Sequence, residues 1–459
     1  MVKQTDSGQI IDEPEKHIPV SGEYDLCVIG GSCTGVFAAI RAARRGLRVG
    51  IVEQANCFGG MATLSLVANW HSLHDLDFEN RIIGGLINEV LERLERRDAL
   101  VVRPRTRNPY FFNSEELKIE LDDMLRTAGV DCHLRTGFSD VIRGNRQIKA
   151  VLVENKSGRR AIRARCFIDA SGDGDLAARA GLLFDANESL QPATLVYQIQ
   201  GLPPREVFNL TQAIRDHGPE FGLAKDFGWY YPHPQTDTLS LHYDTHTFGV
   251  NACDARNLGE AEMRGRRQVR AVMDLIRAHA PSGTKAVLVD LAANLGIRET
   301  RRFRCLKRLT GEEMLAGQQF SDAIANGTYP PDIHDPITGE TWLKYLDGTE
   351  VFSGAGGVRQ GRWRAAGTVS PAFYQIPYRS LVPLEMDNLL VAGRCIDTDD
   401  WAFGGVRVGV NCYQTGEAAG EAAALGLELA DAGGSGVMLP TVEPEKLRAR
   451  LASGGSIVR

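Results

Sequence analysis

The sequence predicts an α/β fold with a parallel central sheet. Three observations support this prediction. The apolar stretch Asp25–Ile29 is followed by glycine, a helical pattern and a second apolar stretch, Arg48–Val52. Two further buried-strand patterns, Ala164–Ala170 and Asn388–Gly393, also lead into glycine-bearing turns. A strand followed by a glycine turn, a helix and another strand is the unit from which parallel sheets are built.

The turn after the first strand carries a nucleotide-binding pattern. Gly30, Ser32 and Gly35 occupy the three positions of G-x-G-x-x-G, with serine where the middle glycine is usual. The first position allows a sharp turn, and the third allows the helix to pack closely on the strand. The serine hydroxyl is small and can itself donate to a phosphate oxygen. The helix that follows, about Cys33–Arg45, would direct its N-terminal N–H groups at a pyrophosphate.

An acidic residue ends this unit. Glu53 follows the second strand, at the spacing from Gly30 where a carboxylate accepts hydrogen bonds from a ribose. The pair Gly59–Gly60 then supplies bare backbone for a second approach to phosphates. The alternative is an ordinary strand–helix–strand unit with chance glycines. The common register of the glycines, the apolar strands and Glu53 argues against that alternative.

Composition limits the classes of protein that this chain can be. The 459 residues allow two or three domains, and 43% apolar with 24% charged residues is typical of a soluble globular protein. A net charge of −6 without a lysine-rich run argues against a nucleic-acid partner. Apolar runs fall short of the ~18 residues that span a bilayer, and no hydrophobic signal segment opens the sequence. We therefore expect a cytoplasmic protein without a membrane partner. Nine cysteines without C-x-x-C indicate neither a disulfide scaffold nor a metal cage.

The pattern along the chain predicts one discontinuous nucleotide-binding domain and a second, α+β domain that covers it. The nucleotide-binding parts are predicted at 23–70, at 114–181, with a β-meander from Val130 to Val153, and at 373–435. The other predicted parts are a helical insertion at 71–113, a substrate or cap domain at 182–372, and peripheral tails at 1–22 and 436–459. Within the cap domain the predicted elements are strands at Thr194–Ile199 and Leu239–Val250, helices at Glu260–Ala278 and Glu312–Ala325, and a loop at Gly354–Thr368.

Four short motifs connect this chain to a known family. They are GGMAT at Gly59–Thr63, IDASGDGD at Ile168–Asp175, RETRR at Arg298–Arg302 and AGRC at Ala392–Cys395. With these motifs the chain resembles the FAD-dependent oxidoreductases of the two-dinucleotide-binding-domain flavoprotein superfamily, from residue 24 to about 430. The resemblance implies a Rossmann-like FAD-binding domain and FAD as the cofactor. Ser32 and Ser171 are mild departures, since the family usually has glycine and threonine there.

The resemblance also implies which residues hold FAD. The first glycine turn would bind the pyrophosphate, Glu53 the adenosine ribose, and the GGMAT segment the pyrophosphate and ribityl chain. The segment up to Val408 would place N–H groups near flavin N1 and O2, where they stabilise the negative charge of reduced flavin. The implied cofactor-binding residues are Gly30, Ser32, Cys33, Thr34, Gly35, Glu53, Gln54, Gly59, Gly60, Met61, Ala62, Thr63, Ala170, Ser171, Gly172, Asp173, Gly393, Arg394, Asp397, Gly405, Val406 and Val408.

Candidate catalytic residues follow from the chemistry of hydride transfer, which needs a base near the flavin. His71 and His74 come just after the GGMAT segment, although they also suit a polar loop in which histidines bond to backbone or water. Arg298 of RETRR could clamp a substrate carboxylate, or the motif could form a salt-bridge network between domains. His334 and Tyr374 are further candidates that also suit structural roles.

Other polar groups point less clearly to chemistry. His242 and His246 are expected in one alternating strand, on the same face, but no third metal ligand accompanies them. We therefore predict no metal site. Cys33 and Cys57 lack the spacing of a redox pair.

These observations predict an FAD-dependent oxidoreductase, a dehydrogenase or oxidase that transfers a hydride between a small polar organic substrate and flavin N5. One alternative is a dehydrogenase that binds NAD with the same fingerprint, against which the AGRCIDTDD segment argues. Another is a flavoprotein whose FAD is structural, or whose reaction is not a net redox one, such as an isomerase. The substrate, the electron acceptor and a homo-oligomeric state stay open.

Overall fold

The computed structural model describes residue 11 and residues 13–224, 228–354, 356–434 and 436–459. Parts of the predicted domains lie outside the described residues. These parts are residues 1–10 and 12 of the first tail, 225–227 and 355 of the cap domain, and 435 at the end of the nucleotide-binding domain.

The secondary structure alternates strands and helices along the whole chain. The strands are β1 (Val20–Ile29), β2 (Val49–Val52), β3 (Asn69–Trp70), β4 (Leu100–Val102), β5 (Tyr110–Phe112), β6 (Asp131–His133), β7 (Gly137–Gly144), β8 (Gln147–Asn155), β9 (Gly158–Asp169), β10 (Phe184–Asp185), β11 (Tyr197–Gln200), β12 (Tyr230–His233), β13 (Thr236–His242), β14 (Val287–Leu291), β15 (Arg302–Phe303), β16 (Ala323–Gly327), β17 (Asp332–His334), β18 (Thr341–Lys344), β19 (Thr349–Gly354), β20 (Gly357–Arg362), β21 (Tyr374–Pro377) and β22 (Leu389–Val391). The helices are α1 (Cys33–Ala43), α2 (Leu86–Glu95), α3 (Ser114–Ala128), α4 (Asp175–Arg179), α5 (Leu210–His217), α6 (Ala255–His279), α7 (Gly311–Ala316), α8 (Asp400–Val406), α9 (Gly409–Gly433) and α10 (Pro444–Ser453).

A mixed sheet forms the centre of the fold. Strands β6, β2, β1 and β9 lie side by side and parallel, and β22 runs parallel to the last residues of β9. The first half of β9 pairs antiparallel with β8, which pairs with β7. In this register Ile29 of β1 and Val391 of β22 both lie opposite Asp169 of β9. The predicted parallel sheet with a β-meander is confirmed, and three of its strands end next to one another.

Helices α1 and α9 approach each other very closely. Gly416 and Gly420 lie one turn apart on α9. A Cβ added at these glycines would stand 2.0 Å from the carbonyl oxygen of Thr34 and 2.2 Å from that of Ala38. Most of α9 is buried, in keeping with its alanine- and glycine-rich sequence. The C-terminal part of the chain therefore packs directly on the first glycine turn and its helix.

Buried acidic groups of α9 are paired with arginines and with the end of the chain. Glu417 forms an ion pair with Arg41 and accepts a hydrogen bond from Ser456 Oγ at 2.7 Å. Asn326 donates to the carbonyl oxygen of Ile457 at 2.8 Å. Residues 436–459 therefore pack into the fold through α10 and these hydrogen bonds, whereas the sequence indicated a peripheral tail.

The segment 182–372 contains two separate antiparallel sheets, with strand orders β12-β13-β11-β14 and β17-β18-β19-β20. The helix predicted at Glu312–Ala325 is wrong in its second half. Helix α7 ends at Ala316 because Gly317 adopts a left-handed conformation (φ 65°), and β16 then pairs with β21. The loop predicted at Gly354–Thr368 is also corrected, because Gly357–Arg362 form β20 and pair with β19.

Two other predicted elements differ in extent. The insertion 71–113 is not wholly helical, because β5 pairs with β3 and β4 beside α2. The strand predicted at Leu239–Val250 ends at His242. Across the described ranges, none of the helices has the length and apolar character needed to cross a bilayer.

We expect Gly420→Ala to destabilise the protein by about 1–3 kcal/mol, because the new methyl group would overlap the backbone of α1. The matched control is Gly259→Ala in α6, where an added Cβ meets open space. That change should stabilise the helix by about 1 kcal/mol. Urea unfolding of both variants gives the comparison, and equal shifts of the two midpoints would contradict the close packing of α1 and α9.

Candidate cofactor and active site

The first glycine turn is shaped by two contacts that exclude side chains. Gly30 has a φ of +99°, and a Cβ there would lie 2.5 Å from the backbone of Ala170. A Cβ at Gly35 would lie 1.9 Å from the carbonyl oxygen of Gly30. Helix α1 begins at Cys33, and its N-cap residue Ser32 makes no side-chain cap hydrogen bond. The first N–H groups of α1 therefore remain available to a ligand, as in other phosphate-binding turns.

The GGMAT segment packs directly on this turn. Gly59 donates its N–H to the carbonyl oxygen of Gly31 at 2.8 Å. Gly60 faces Ser32, since a Cβ at Gly60 would stand 2.8 Å from the Cβ of that serine. The serine in the middle of the fingerprint is accommodated because its neighbour across the cleft has no side chain.

Glu53 lies at the end of β2, next to the first glycine turn. Its carboxylate oxygens accept hydrogen bonds from the N–H groups of Gly31 and Ala55, each at 2.7 Å. These two bonds fix the orientation of a half-buried side chain. Each carboxylate oxygen keeps a further lone pair, so the group can also accept from ribose hydroxyls.

The turns after β9 and β22 meet through one ion pair. Arg394 donates from Nη2 to Asp173 Oδ1 at 2.9 Å, while its buried Nη1 has no hydrogen-bond partner in the part of the chain that the structure describes. Asp169, fully buried at the end of β9, accepts from Ser171 Oγ at 2.7 Å and from the N–H of Ala177 at 2.9 Å. Burial raises the pKa of Asp169 to about 6 in spite of these bonds. Ser171 thus keeps the hydroxyl that the family's threonine would supply.

Other predicted cofactor residues lie in the same region with different roles. The buried Asp397 accepts from the N–H of Cys305 at 2.8 Å and from Arg308 Nε at 2.7 Å. Its contact with the cofactor stays a prediction. The candidate catalytic residue Tyr374 has a hydroxyl that lies 3.0 Å from the carbonyl oxygen of Tyr329 and 3.2 Å from that of Gly405, which matches the structural alternative. Val406 ends α8, and α9 begins after Val408 without a side-chain cap.

His71 and His74 differ in their surroundings. His71 donates from Nδ1 to Asn108 Oδ1, and its ring packs on Tyr329 with centroids 4.0 Å apart. Burial lowers the pKa of His71 to about 4, so the imidazole is neutral at pH 7. His74 is tied mainly through its backbone, since its carbonyl oxygen accepts from Thr328 Oγ1 at 3.2 Å. Burial lowers the pKa of His74 as well.

The RETRR motif connects the segment 182–372 to the cofactor turns. Arg302 pairs with Asp400 at 2.5 Å, and Arg301 pairs with Asp175 at 3.1 Å. These contacts match the salt-bridge alternative that the sequence left open. Arg298 is placed differently, because its Nη1 donates to Thr194 Oγ1 at 3.1 Å within the same segment.

A group of polar side chains lies where β17 meets the turn between α8 and α9, and of its members the sequence had singled out only His334. We call Tyr329, Asp332, His334 and Arg407 the polar cluster. Asp332 Oδ2 accepts from the Tyr329 hydroxyl at 2.8 Å and from Arg407 Nη2 at 3.3 Å, and Oδ1 lies 3.3 Å from His334 Nε2. The side chains of Asp332, His334 and Arg407 are only 11% to 13% exposed. Burial opposes ionisation of Asp332, but His334, Arg407 and Tyr329 outweigh it and hold the pKa of this carboxyl well below its usual range.

One signal in the sequence could have found part of this cluster. Asp332 and His334 are two residues apart, and in a strand that spacing places both side chains on the same face. Arg407 carried no such signal, because only the tertiary fold places α8 against this strand. A Cβ at Gly404 of α8 would stand 2.7 Å from the backbone nitrogen of Asp332.

The histidine pair considered for a metal does not share a strand. His242 ends β13 and is fully buried between the rings of Tyr197 and Tyr230, with ring centroids 5.1 and 5.0 Å away. His246 follows in a loop, where its N–H bonds to Gln268. The predicted alternation is wrong because the strand stops between the two histidines. Cys33 and Cys57 are both buried, and burial raises the pKa of the Cys33 thiol to about 12.

The three turns together fit a long ligand with a pyrophosphate at its centre. Helices α1 and α9 begin without side-chain caps, and no described residue pairs with the buried Nη1 of Arg394. Bare glycines line the first turn, and Glu53 stands at its edge. This fold and this site define a dinucleotide-binding protein of the flavoprotein class.

The comparisons with known proteins give the family. Residues 25–451 match the family described as FAD dependent oxidoreductase, and the chain belongs to that family. The protein is therefore an enzyme that uses FAD.

Individual relatives are distant or match only in part. The chain is 38% identical over 71 residues to the mitochondrial dihydrolipoyl dehydrogenase of Schizosaccharomyces pombe, and the match covers 14% of each protein. It is similar to a geranylgeranyl bacteriochlorophyll reductase-like protein from Thermoplasma acidophilum at 14% identity, over 93% of this chain and 83% of the other, with a TM-score of 0.48. It is also similar to the OxyS anhydrotetracycline hydroxylase of Streptomyces rimosus at 11% identity, over 94% of this chain and 66% of the other, with a TM-score of 0.41.

We expect Glu53→Ala to lose most of its bound FAD, because the change removes the ribose acceptor and loosens the Gly31 N–H. The matched control is Glu95→Ala, at the exposed end of α2, which should retain FAD as the wild type does. The ratio of flavin to protein absorbance after purification measures the difference. Equal ratios in the two variants would contradict the role of Glu53.

The pH dependence of stability should reflect His334. Burial and the nearby Arg298 lower its pKa from 6.5 to about 4, although Asp332 opposes them. Between these values the unfolded chain binds more protons than the folded one, so this residue makes stability fall as the pH decreases from 6.5 to 4. We expect His334→Gln to flatten that part of the profile in urea unfolding. An unchanged slope would contradict a buried, neutral His334.

Proposed function

We propose that this enzyme transfers a hydride between a small polar organic substrate and FAD. The substrate would lie between the glycine turns and the segment 182–372. The observation that supports this proposal is the polar cluster, a set of largely buried, hydrogen-bonding side chains beside the turn between α8 and α9. Buried polar groups of this density are costly unless a ligand or a partner satisfies them.

The chain's own residues would bind and orient the reactants. The N-termini of α1 and α9 would face the phosphates and the flavin ring, and Glu53 would accept from the adenosine ribose. FAD, when bound, supplies a two-electron acceptor. Burial of the whole region would exclude water from the reacting atoms.

The polar cluster would recognise the substrate through hydrogen bonds. Within the described ranges the buried Nε of Arg407 has no hydrogen-bond partner, although its Nη2 donates to Asp332. The Tyr329 hydroxyl donates to Asp332, and the ring of His71 packs on the ring of Tyr329. A hydroxyl, amine or carboxylate on the substrate matches these groups better than an apolar molecule does.

The test is anaerobic bleaching of the bound flavin by a panel of sugars, amino acids and hydroxy acids. We expect at least one compound to bleach the flavin and air or another acceptor to restore the colour. Arg407→Met should lower the affinity for that substrate by about tenfold or more, since a charge-assisted hydrogen bond would be lost. A flavin that no member of the panel bleaches, with product formed while the colour persists, would instead indicate a reaction without net redox change.

His71→Gln and His74→Gln belong in the same assay. If either histidine is the base, flavin reduction in that variant should slow by roughly 10²-fold or more. Unchanged rates of flavin reduction in both variants would exclude His71 and His74 as the base and leave the polar cluster as its source.

A further inference from the structure

We propose that His334 accepts the proton of the substrate's reacting hydroxyl or amine, with Asp332 as its positioning residue. This inference rests on the proposed hydride transfer and assigns its base.

The first support is the tautomer that the neighbouring carboxylate selects. Asp332 Oδ1 lies 3.3 Å from His334 Nε2, within ion-pair distance. An ionised carboxylate only accepts, so Nε2 carries the hydrogen. In the neutral imidazole the lone pair is then on Nδ1.

The second support is the hydrogen bonding of His334 Nδ1. Nδ1 of His334 is buried and has no hydrogen-bond partner among the described residues. Leaving a buried acceptor without a donor destabilises the structure, since its lost hydration is not replaced. A substrate O–H or N–H would remove that destabilisation and at the same time present its proton to the lone pair.

The third support is the charge around the pair. Tyr329 and Arg407 both donate to Asp332 Oδ2, which keeps the carboxylate ionised and leaves Oδ1 for His334. Arg298 disfavours a resting imidazolium, and the ring of His246 lies 6.0 Å from that of His334. The histidine is therefore neutral before reaction, and Asp332 stabilises the imidazolium that forms.

His71 is a weaker candidate on the same criteria. Its Nδ1 donates to the neutral amide of Asn108, which stabilises an imidazolium less than a carboxylate does. His71 also packs its ring against Tyr329. Its position suits support of the cluster better than proton transfer.

The step balances as follows for an alcohol. The O–H bond breaks and its proton goes to Nδ1 of His334, while the electron pair left on oxygen forms the C=O bond. The C–H bond breaks with its electron pair, and FAD, when bound, would supply the acceptor for that hydride. The substrate is oxidised by two electrons to a ketone or aldehyde, and an amine gives an imine in the same way.

The first experiment needs no substrate. In ¹⁵N-histidine-labelled holoenzyme at pH 7, we expect the His334 signals to show hydrogen on Nε2 and none on Nδ1. His334→Gln, or His334→Asn if that variant retains FAD better, identifies the signals by their loss. Asp332→Asn should abolish the tautomer preference. Hydrogen on Nδ1 in the wild-type enzyme would overturn the proposal.

The second experiment measures flavin reduction by a compound that bleaches the wild-type enzyme. We expect His334→Gln to slow reduction by roughly 10²- to 10⁴-fold and Asp332→Asn to slow it and shift its pH profile. The matched control is His279→Gln at the exposed end of α6. The flavin of this variant should be reduced at the wild-type rate.

The outcomes separate the two proposals. If the wild type is bleached and His334→Gln is equally fast, the assignment of the base is wrong while hydride transfer stands. If no compound bleaches the wild type although product forms, hydride transfer is wrong, and the assignment of His334 as its base falls with it.

Discussion

The structure depends on the register of three parallel strands. Ile29 and Val391 both align with Asp169, so β1, β9 and β22 end at the same edge of the sheet although they are hundreds of residues apart. Parallel strands place their carboxyl ends together, and ligands bind in the crevice beyond those ends. A shift of one residue would turn every side chain of a strand to the opposite face and separate the three turns.

Close packing between α1 and α9 holds that arrangement in place. Gly416 and Gly420 allow the two helix backbones to touch, and Glu417 and Glu421 are buried because arginines pair with them. Breaking such a pair leaves an uncompensated buried charge, which is strongly destabilising. The two uncapped helix N-termini belong to these same helices. The packing that stabilises the fold therefore also fixes the positions of these two helix N-termini.

The segment 182–372 is fixed to this frame by charges. Arg301 and Arg302 pair with acidic residues at the starts of α4 and α8, which follow the second and third turns. The same segment carries β17, whose Asp332 is bonded to Arg407 from the turn between α8 and α9. The polar cluster thus forms only when both parts of the chain are assembled.

The sequence by itself determined the buried strands of the central sheet, the first glycine turn and the FAD-binding class of the fold, because these features depend on local periodicity and on glycines that permit an unusual backbone conformation. It predicted the α1–β2 unit within a residue or two, and it placed Glu53 correctly at the end of β2. It misplaced the end of α7 and overlooked β20, because strand pairing between distant segments overrides local composition. The polar cluster was decided by the tertiary structure alone. Arg407 lies 78 positions after Tyr329 in the sequence (407 − 329). Only the packing of α8 against β17 brings the side chains of Arg407 and Asp332 within hydrogen-bond distance.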